Sequence, residues 1–221
     1  MIRRGPTYAT AWMLLAALAL ATPRPARADS RVSWATAQAA ELVRQGDANA
    51  MRGDREVALQ RYLAAINLDA TYGPAYLALG RAHELGGDAR EAERTYSLGI
   101  EHVTAFADGL VARGRLRVRA HRFAEAIADY DQAAELRPDD GSILEALEGA
   151  LVGAGALPAA LAVARRAELL AAARGDGRAV AASHVRAKAL AMLVAEADPI
   201  TAGGAARGPL RRALASWVTR K

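Results

Sequence analysis

The sequence predicts an all-α protein in which one helix–turn–helix unit recurs as a solenoid. The unit is clearest in residues 107–140, where apolar side chains from Phe123 to Leu136 recur at helical spacing until Pro138, which cannot continue a helix. The same residue types then return every 34 positions, and the tyrosine column is informative because the chain has only six tyrosines. A fixed period of this length indicates stacked helix pairs rather than one globular core. The columns are Tyr62, Tyr96 and Tyr130; Gly46, Gly80 and Gly114; and Ala58, Ala92, Ala126 and Ala160.

This pattern resembles the tetratricopeptide repeat (TPR). Tyr76, Leu79 and Gly80 match the aromatic–Leu–Gly opening of the family's repeat, and Gly87 supplies its turn. The third unit keeps the glycine, the aromatic ring and the closing proline of the repeat, whereas the fourth unit has lost part of the pattern. There, Glu148 replaces the glycine and an alanine replaces the ring. The resemblance implies a right-handed α-solenoid over residues 29–174, with four TPR-like repeats at about 39–72, 73–106, 107–140 and 141–174.

Residues 1–28 have the three parts of a secretory signal peptide. Arg3 and Arg4 form a basic start, residues 9–21 are apolar, and Ala26 and Ala28 give a small–x–small cleavage site. The apolar run is short for a membrane-spanning helix, which needs about 20 residues. We therefore expect cleavage after Ala28 and export, with the periplasm of a Gram-negative bacterium as the expected location. An uncleaved N-terminal anchor remains the alternative.

Turn and cap residues predict where the helices of the repeats begin. A first helix over residues 33–52 is expected to pack through Trp34 and Ala37, together with Leu42 and Val43. Gly53 is expected to turn the chain before the second helix. Acidic and hydroxyl side chains then stand at helix starts, where they can accept hydrogen bonds from free backbone N–H groups. These candidate caps are Asp54, Asp88 with Glu91, and Ser142 with Glu145.

The 34-residue period is lost in residues 175–221, which we expect to hold a helical cap and a basic tail helix. Residues 178–197 predict a helix that covers the last repeat, because a solenoid must shield its exposed apolar end. A final helix near Pro209 carries Leu210, Leu214, Trp217 and Val218 on one face, with basic residues around it. Packing against the protein is favoured over binding an anionic membrane surface, because the apolar face is small.

Composition and motifs argue against several functional classes. The chain has no cysteine, which excludes disulfides and thiolate chemistry, and its four histidines show no metal-binding spacing. No phosphate-binding loop or nucleophile motif is present, so we predict a protein that is not an enzyme and has no cofactor. Residues 29–221 keep 29 − 4 = 25 basic groups against 24 acidic ones, a net charge of +1. A nearly neutral protein lacks the basic field that drives nucleic-acid binding, so no nucleic-acid partner is expected.

By resemblance, the first helix of each repeat lines a concave groove that binds a protein or peptide partner. The Lys/Asn set with which some family members clamp a C-terminal carboxylate is absent, because Val43, Asp47, Leu77 and Val111 occupy those positions. Arg115 and Arg119 share one helical face and point into the groove near Arg81, whereas Arg113 and Arg117 share another face. The alternative interpretation of this arginine run is a solvated face without a partner. The predicted groove residues are Met51, Leu77, Arg81, Glu84, Leu85, Arg115, Val118, Arg119 and Glu145.

The sequence thus predicts an exported interaction module or scaffold. Two alternatives stay open. One is a membrane-associated envelope assembly factor, held by an uncleaved N-terminus or by the basic C-terminal helix. The other is a regulatory subunit or an enzyme with an unrecognised site.

Overall fold

The structure, a computed structural model, describes residues 28–197 of the chain. The predicted signal peptide up to residue 27 and the predicted tail helix lie outside the described residues. The described part contains nine helices and no strand. The helices are α1 (Ala28–Arg52), α2 (Arg55–Leu68), α3 (Gly73–Leu85), α4 (Ala89–His102), α5 (Ala107–Arg119), α6 (Phe123–Leu136), α7 (Gly141–Gly153), α8 (Leu157–Ala173) and α9 (Gly177–Ala197).

The helices stack in pairs, each packing against the next along the chain, which confirms the predicted all-α repeat fold. The first helices of successive pairs also contact one another, α1 with α3, α3 with α5 and α5 with α7. Within the described residues the second helices make at most marginal contacts with each other. The first-helix side is therefore the inner face of the stack. Helix α9 packs along α8 and adds Ala187 and Leu190 to the core cluster of the last pair.

Inside each of the first three pairs, a tyrosine ring of the second helix lies over a glycine of the first. A Cβ added at Gly114 would lie 2.7 Å from the Tyr130 ring, and the rings of Tyr62 and Tyr96 lie over Gly46 and Gly80 in the same way. Only a residue without a side chain leaves room for this crossing. The alanine column, Ala58, Ala92, Ala126 and Ala160, is fully buried in these contacts.

The turn inside each pair uses one residue in the left-handed backbone region. Gly53, Gly87 and Gly155 have φ values of +88°, +83° and +77°, and His121 occupies the same position in the third pair at +58°. The first two glycines were predicted as turn residues. His121 is the exception, because a side chain in this region is strained. Its ring packs edge-on against Phe123, with the ring centroids 5.7 Å apart.

The prediction that Trp34 and Ala37 are packing residues is wrong. Helix α1 begins at Ala28, and Trp34 is 59% exposed. The helix of 25 residues is much longer than its partner α2 of 14 residues, so its first turns extend past the helix on which they could pack. From Trp34 onward, where burial is described, the first fully buried residue of α1 is Ala39.

The side-chain caps expected at Asp54, Asp88 and Ser142 are also wrong. The backbone of Asp54 (φ −80°, ψ 63°) and of Asp88 lies outside the extended region from which a cap side chain reaches back, and neither carboxylate caps its helix. Asp88 instead accepts a hydrogen bond from Arg55 at 2.6 Å. At α7 the cap is Asp140, whose extended backbone lets its carboxylate accept from the backbone N–H of Ser142 at 3.0 Å.

Candidate functional site on the inner face

The inner face carries one column of residues at the same position of successive first helices. The column consists of Asp47, Arg81, Arg115 and Gly149, each 34 residues from the next. Arg81 and Arg115 are exposed and, among the described residues, make no hydrogen bond or ion pair. Both guanidinium groups lie close enough to the Tyr96 phenol to lower its pKa, against the larger raising effect of burial. The middle of the inner face is thus a basic surface whose charges are not paired within residues 28–197.

Two tyrosine hydroxyls are held by carboxylates of the first helices, one of which, Asp47, belongs to this column. Tyr62 donates to Asp47 at 2.8 Å, and Tyr96 donates to Glu84 at 2.5 Å. Arg119, from the next first helix, forms an ion pair with the other oxygen of Glu84. Burial first, and the adjacent carboxylate second, raise the pKa of Tyr62 and Tyr96. Each hydroxyl therefore stays protonated and serves as a donor.

Tyr130 departs from this arrangement. It is 2% exposed, and its hydroxyl forms no hydrogen bond within the described part of the chain, but the hydroxyl oxygen itself is not fully buried. The two positions that supply acceptors to Tyr62 and Tyr96 hold Arg115 and Val118 in this repeat, and neither side chain can accept. Burial raises the pKa of Tyr130 to about 12, although Arg115 opposes the rise. The third repeat thus has a donor where the first two have a satisfied pair.

The nine predicted groove residues fall into three groups. Met51 and Leu85 are 83% and 89% exposed, at the ends of α1 and α3. Leu77 and Val118 are partly buried and pack against the core clusters around Tyr96 and Tyr130. The remaining five are charged. Arg81 and Arg115 are exposed and have no ion-pair partner among the described residues, Glu84 and Arg119 pair with each other, and Glu145 pairs with Arg186 of α9 at 3.2 Å.

The solvated-face interpretation does not hold for Arg113 and Arg117, the two arginines on the other face of α5. Both side chains are mostly buried and converge on Asp129 of α6, itself 2% exposed. Arg113 donates to Asp129 at 2.7 Å and to the Ser97 hydroxyl at 3.0 Å. Arg117 donates to Asp129 at 2.8 Å and to Glu93 of α4 at 2.9 Å. This ion network, extended by Arg122 and Glu125, joins α4, α5 and α6.

The network lowers the pKa of its more accessible carboxylates. Hydrogen bonds from Arg122 hold the pKa of Glu93 below its ordinary value, with a further contribution from Arg117. The pKa of Glu125 is lowered by the same Arg122. Three guanidinium groups face three carboxylates, so the network is balanced in charge. It binds the helices to one another and presents no free group to a partner.

A cleft of about 370 Å³ opens between α7, α8 and α9. Its lining includes Glu145 and Arg186, and Arg186 also donates to Glu148 at 3.1 Å. Glu148 is 2% exposed and stands in the column that holds glycine in the first three repeats. Helix α9 thereby closes the C-terminal end of the inner face with ion pairs.

Sequence reasoning missed Asp129 and Arg186 as structural partners. A signal was present, because Asp129 stands in a column where the neighbouring repeats hold Thr95 and Val163. A carboxylate at such a packing position requires a nearby cation.

No group of three or more His, Asp or Glu residues in the described part of the chain could hold a metal ion. Between residues 28 and 197, no helix combines the length and apolar character that membrane crossing requires.

Comparison with known proteins gives the fold and little beyond it. No family model matches the chain. One curated relative is a UDP-N-acetylglucosamine–peptide N-acetylglucosaminyltransferase of Giardia intestinalis, 31% identical over 86 residues. These residues are 39% of this chain, which spans only 6% of that protein's length.

Among solved structures, a crystal structure of MamA protein is similar with a TM-score of 0.55, 19% identity, and coverage of 63% of this chain and 76% of that one. A second crystal structure of MamA has a TM-score of 0.50 and 16% identity, and the match covers 68% of this chain and 96% of that one. Similarities at this level of identity show the fold alone, a helical-repeat solenoid of the tetratricopeptide type.

Proposed function

We propose that this protein is an interaction module that binds a segment of another protein along its inner face. The observation that carries the proposal is the pair Arg81 and Arg115, exposed at one position of successive first helices without a partner in the described chain. A hydrogen bond from a guanidinium to a carboxylate contributes about 1.5–3 kcal/mol. Two such residues give a surface that favours acidic segments.

Apolar contact adds to this charge. Met51 and Leu85 project from the ends of the same first helices and are almost fully exposed. Such side chains gain about 25 cal/mol per Å² of apolar surface on burial by a partner. The described part of the face lacks exposed aromatic anchors, which dominate tight interfaces, so we expect modest affinity. A partner with acidic residues and small apolar residues fits this surface.

A random library of 12-residue peptides displayed on phage tests the proposal with purified protein. We expect selected peptides to be enriched in Asp and Glu and to bind less tightly as salt rises. Charge reversal by Arg81→Glu with Arg115→Glu should abolish the enrichment. The matched control reverses Arg61 and Arg94, two exposed arginines on the second helices. Failure to select any peptide, or equal loss in both double variants, would reject binding at the inner face.

We also propose that the protein acts after it has been exported. This proposal rests on the sequence of residues 1–28 alone. The basic start, the apolar run and Ala26-Arg27-Ala28 support cleavage after Ala28. Sequencing the N-terminus of the protein recovered from the periplasm should give Asp29 as the first residue. A chain that still begins at Met1 in a membrane fraction would instead support the anchored alternative.

A further inference from the structure

We propose that residues 209–221 pack as a helix on the exposed apolar face of α9. The C-terminal segment of the chain then serves as the second helix of a fifth pair. This contact lies at the C-terminal end of the stack, so it does not depend on partner binding at the inner face.

Helix α9 has one buried side and one exposed apolar side. Ala187 and Leu190 lie in the core cluster that α9 shares with α7 and α8. On the other side, Val185 and Met192 are 67% and 49% exposed, and Ala181 is exposed as well. At about 100° per residue, these three exposed side chains fall within about 40° of one another around the helix. They form a narrow apolar stripe that no helix covers within residues 28–197.

In the preceding pairs, a second helix shields this part of the first helix. Val185 stands one 34-residue period after Leu151 and two periods after Arg117. Leu151 is 8% exposed and lies in one cluster with Ala160 of its second helix α8. Arg117 is mostly buried and donates to Asp129 of its second helix α6 at 2.8 Å. Helix α9 is thus a first helix whose shielding partner must come from outside the described residues.

The remainder of the chain carries an apolar pattern that matches the stripe. The chain continues for 221 − 197 = 24 residues beyond α9. In the predicted tail helix, Leu210 and Trp217 are seven residues apart on one face, and Val185 and Met192 are also seven residues apart on α9. Seven residues are about two helical turns. An antiparallel helix can therefore place Leu210 on Met192 and Trp217 on Val185 at the same time.

Chain length also permits this contact. A helix of residues 209–221 is about 20 Å long, which matches the span of α9 from its exposed stripe to its C-terminal turns. The connecting residues 198–208 can extend over about 36 Å, more than a reversal at the end of α9 requires. A short tether gives the attached segment an effective concentration in the mM range, which favours it over a second copy of the chain.

Thiol labelling of the purified full chain tests the contact, because the chain has no cysteine of its own. Val185→Cys should react with a maleimide at least about tenfold more slowly than the same variant that also carries Leu214→Asp and Trp217→Asp, since a packed helix shields the thiol until it opens. Arg94→Cys, at an exposed position of α4, is the control and should react equally fast with either tail.

Disulfide formation tests the orientation of the tail. Mild oxidation of Val185→Cys with Trp217→Cys should join the two positions within one chain, because their Cβ atoms come close enough in the antiparallel arrangement. The matched pair is Val185→Cys with Thr219→Cys. Thr219 is two residues further along and lies on the opposite side of the tail helix, so this pair should remain reduced.

Four outcomes would overturn the contact. The first is equal labelling of Val185→Cys with the wild-type and the disrupted tail. The second is equal disulfide formation by the two cysteine pairs. In the third, protection rises with protein concentration and the disulfide links two chains, which would assign the stripe to a second copy. In the fourth, the thiol is unprotected in solution and the tail binds phosphatidylglycerol vesicles, which would assign the tail to a membrane surface.

Discussion

Asp129→Asn is expected to lower the free energy of unfolding by about 2–4 kcal/mol. The substitution keeps the shape of the side chain but leaves two mostly buried guanidinium groups without their shared carboxylate. Breaking a buried ion pair from one side costs about 3–5 kcal/mol. We expect a smaller loss of stability here because each arginine keeps another hydrogen bond. Arg113 still donates to the Ser97 hydroxyl, and Arg117 still donates to Glu93.

The same reasoning predicts that the pair can be replaced as a unit. Leu147 and Val163 stand one repeat later at the positions of Arg113 and Asp129, and they pack together in the core cluster of the fourth repeat. Apolar residues in place of a buried ion pair are often neutral or stabilising. Arg113→Leu with Asp129→Val should therefore recover most of the loss in the free energy of unfolding, but not all of it, because Arg117 also loses its bond to Asp129 and keeps only its contacts with Glu93 and Glu125.

Urea unfolding of the wild type, Asp129→Asn and the double variant, followed by far-ultraviolet circular dichroism at pH 7, measures both effects. The midpoint should fall sharply for the single variant and recover in the double variant, with similar slopes for all three. A loss below 1 kcal/mol for Asp129→Asn would contradict this reasoning, because it would mean that water replaces the carboxylate as the partner of the two guanidinium groups. A double variant no more stable than the single one would show that the network fits its site better than apolar packing does.

Three further predictions concern stability. Ala126→Leu should overpack a fully buried helix crossing and cost about 1–3 kcal/mol, whereas Gln132→Leu on the exposed side of the same helix should have little effect in thermal melts. Gly87→Ala should cost about 1–2 kcal/mol at its left-handed turn, and His121→Ala distinctly less because a side chain is already accommodated there. The folded-state pKa of Glu93 is below its ordinary value of 4.5, so its contribution is complete above that pH and is lost as the pH falls through the lowered value. Glu93→Gln should therefore be about 1 kcal/mol less stable than wild type at pH 7, and the difference should shrink below pH 4 in acid titrations followed by circular dichroism.

The repeat fold could be predicted because its determinants are local. The tyrosine and the glycine that its ring covers are only 16 residues apart, on consecutive helices. The same pair of residues recurs three times at the 34-residue period, so it can be recognised in the sequence. Helical spacing likewise separated Arg115 and Arg119 from Arg113 and Arg117. What each arginine contacts could not be predicted in this way. The Arg119–Glu84 pair joins residues 35 apart on different helices, so it depends on how two repeats are placed and on side-chain rotamers.

The caps failed for a related reason. Asp54 and Asp140 are the same residue type at the start of a helix, but only Asp140 has an extended backbone with ψ near 100°, and only its carboxylate caps. Backbone angles in these short turns are set by the packing of the two helices on either side. Residue type alone therefore cannot predict which acidic residue caps and which, like Asp88, pairs with an arginine.

The stacking of helices on their chain neighbours also sets how this protein folds and opens. Among the described residues, every extensive helix contact joins two consecutive helices or two helices separated by one other helix in the chain. Loops of this length close at little entropic cost, so the stack can form from any starting pair and opens from its ends inward. The ion network holds α4, α5 and α6 together at the centre. Amide hydrogens should exchange slowest in these three helices and fastest in α1, whose first turns extend beyond α2.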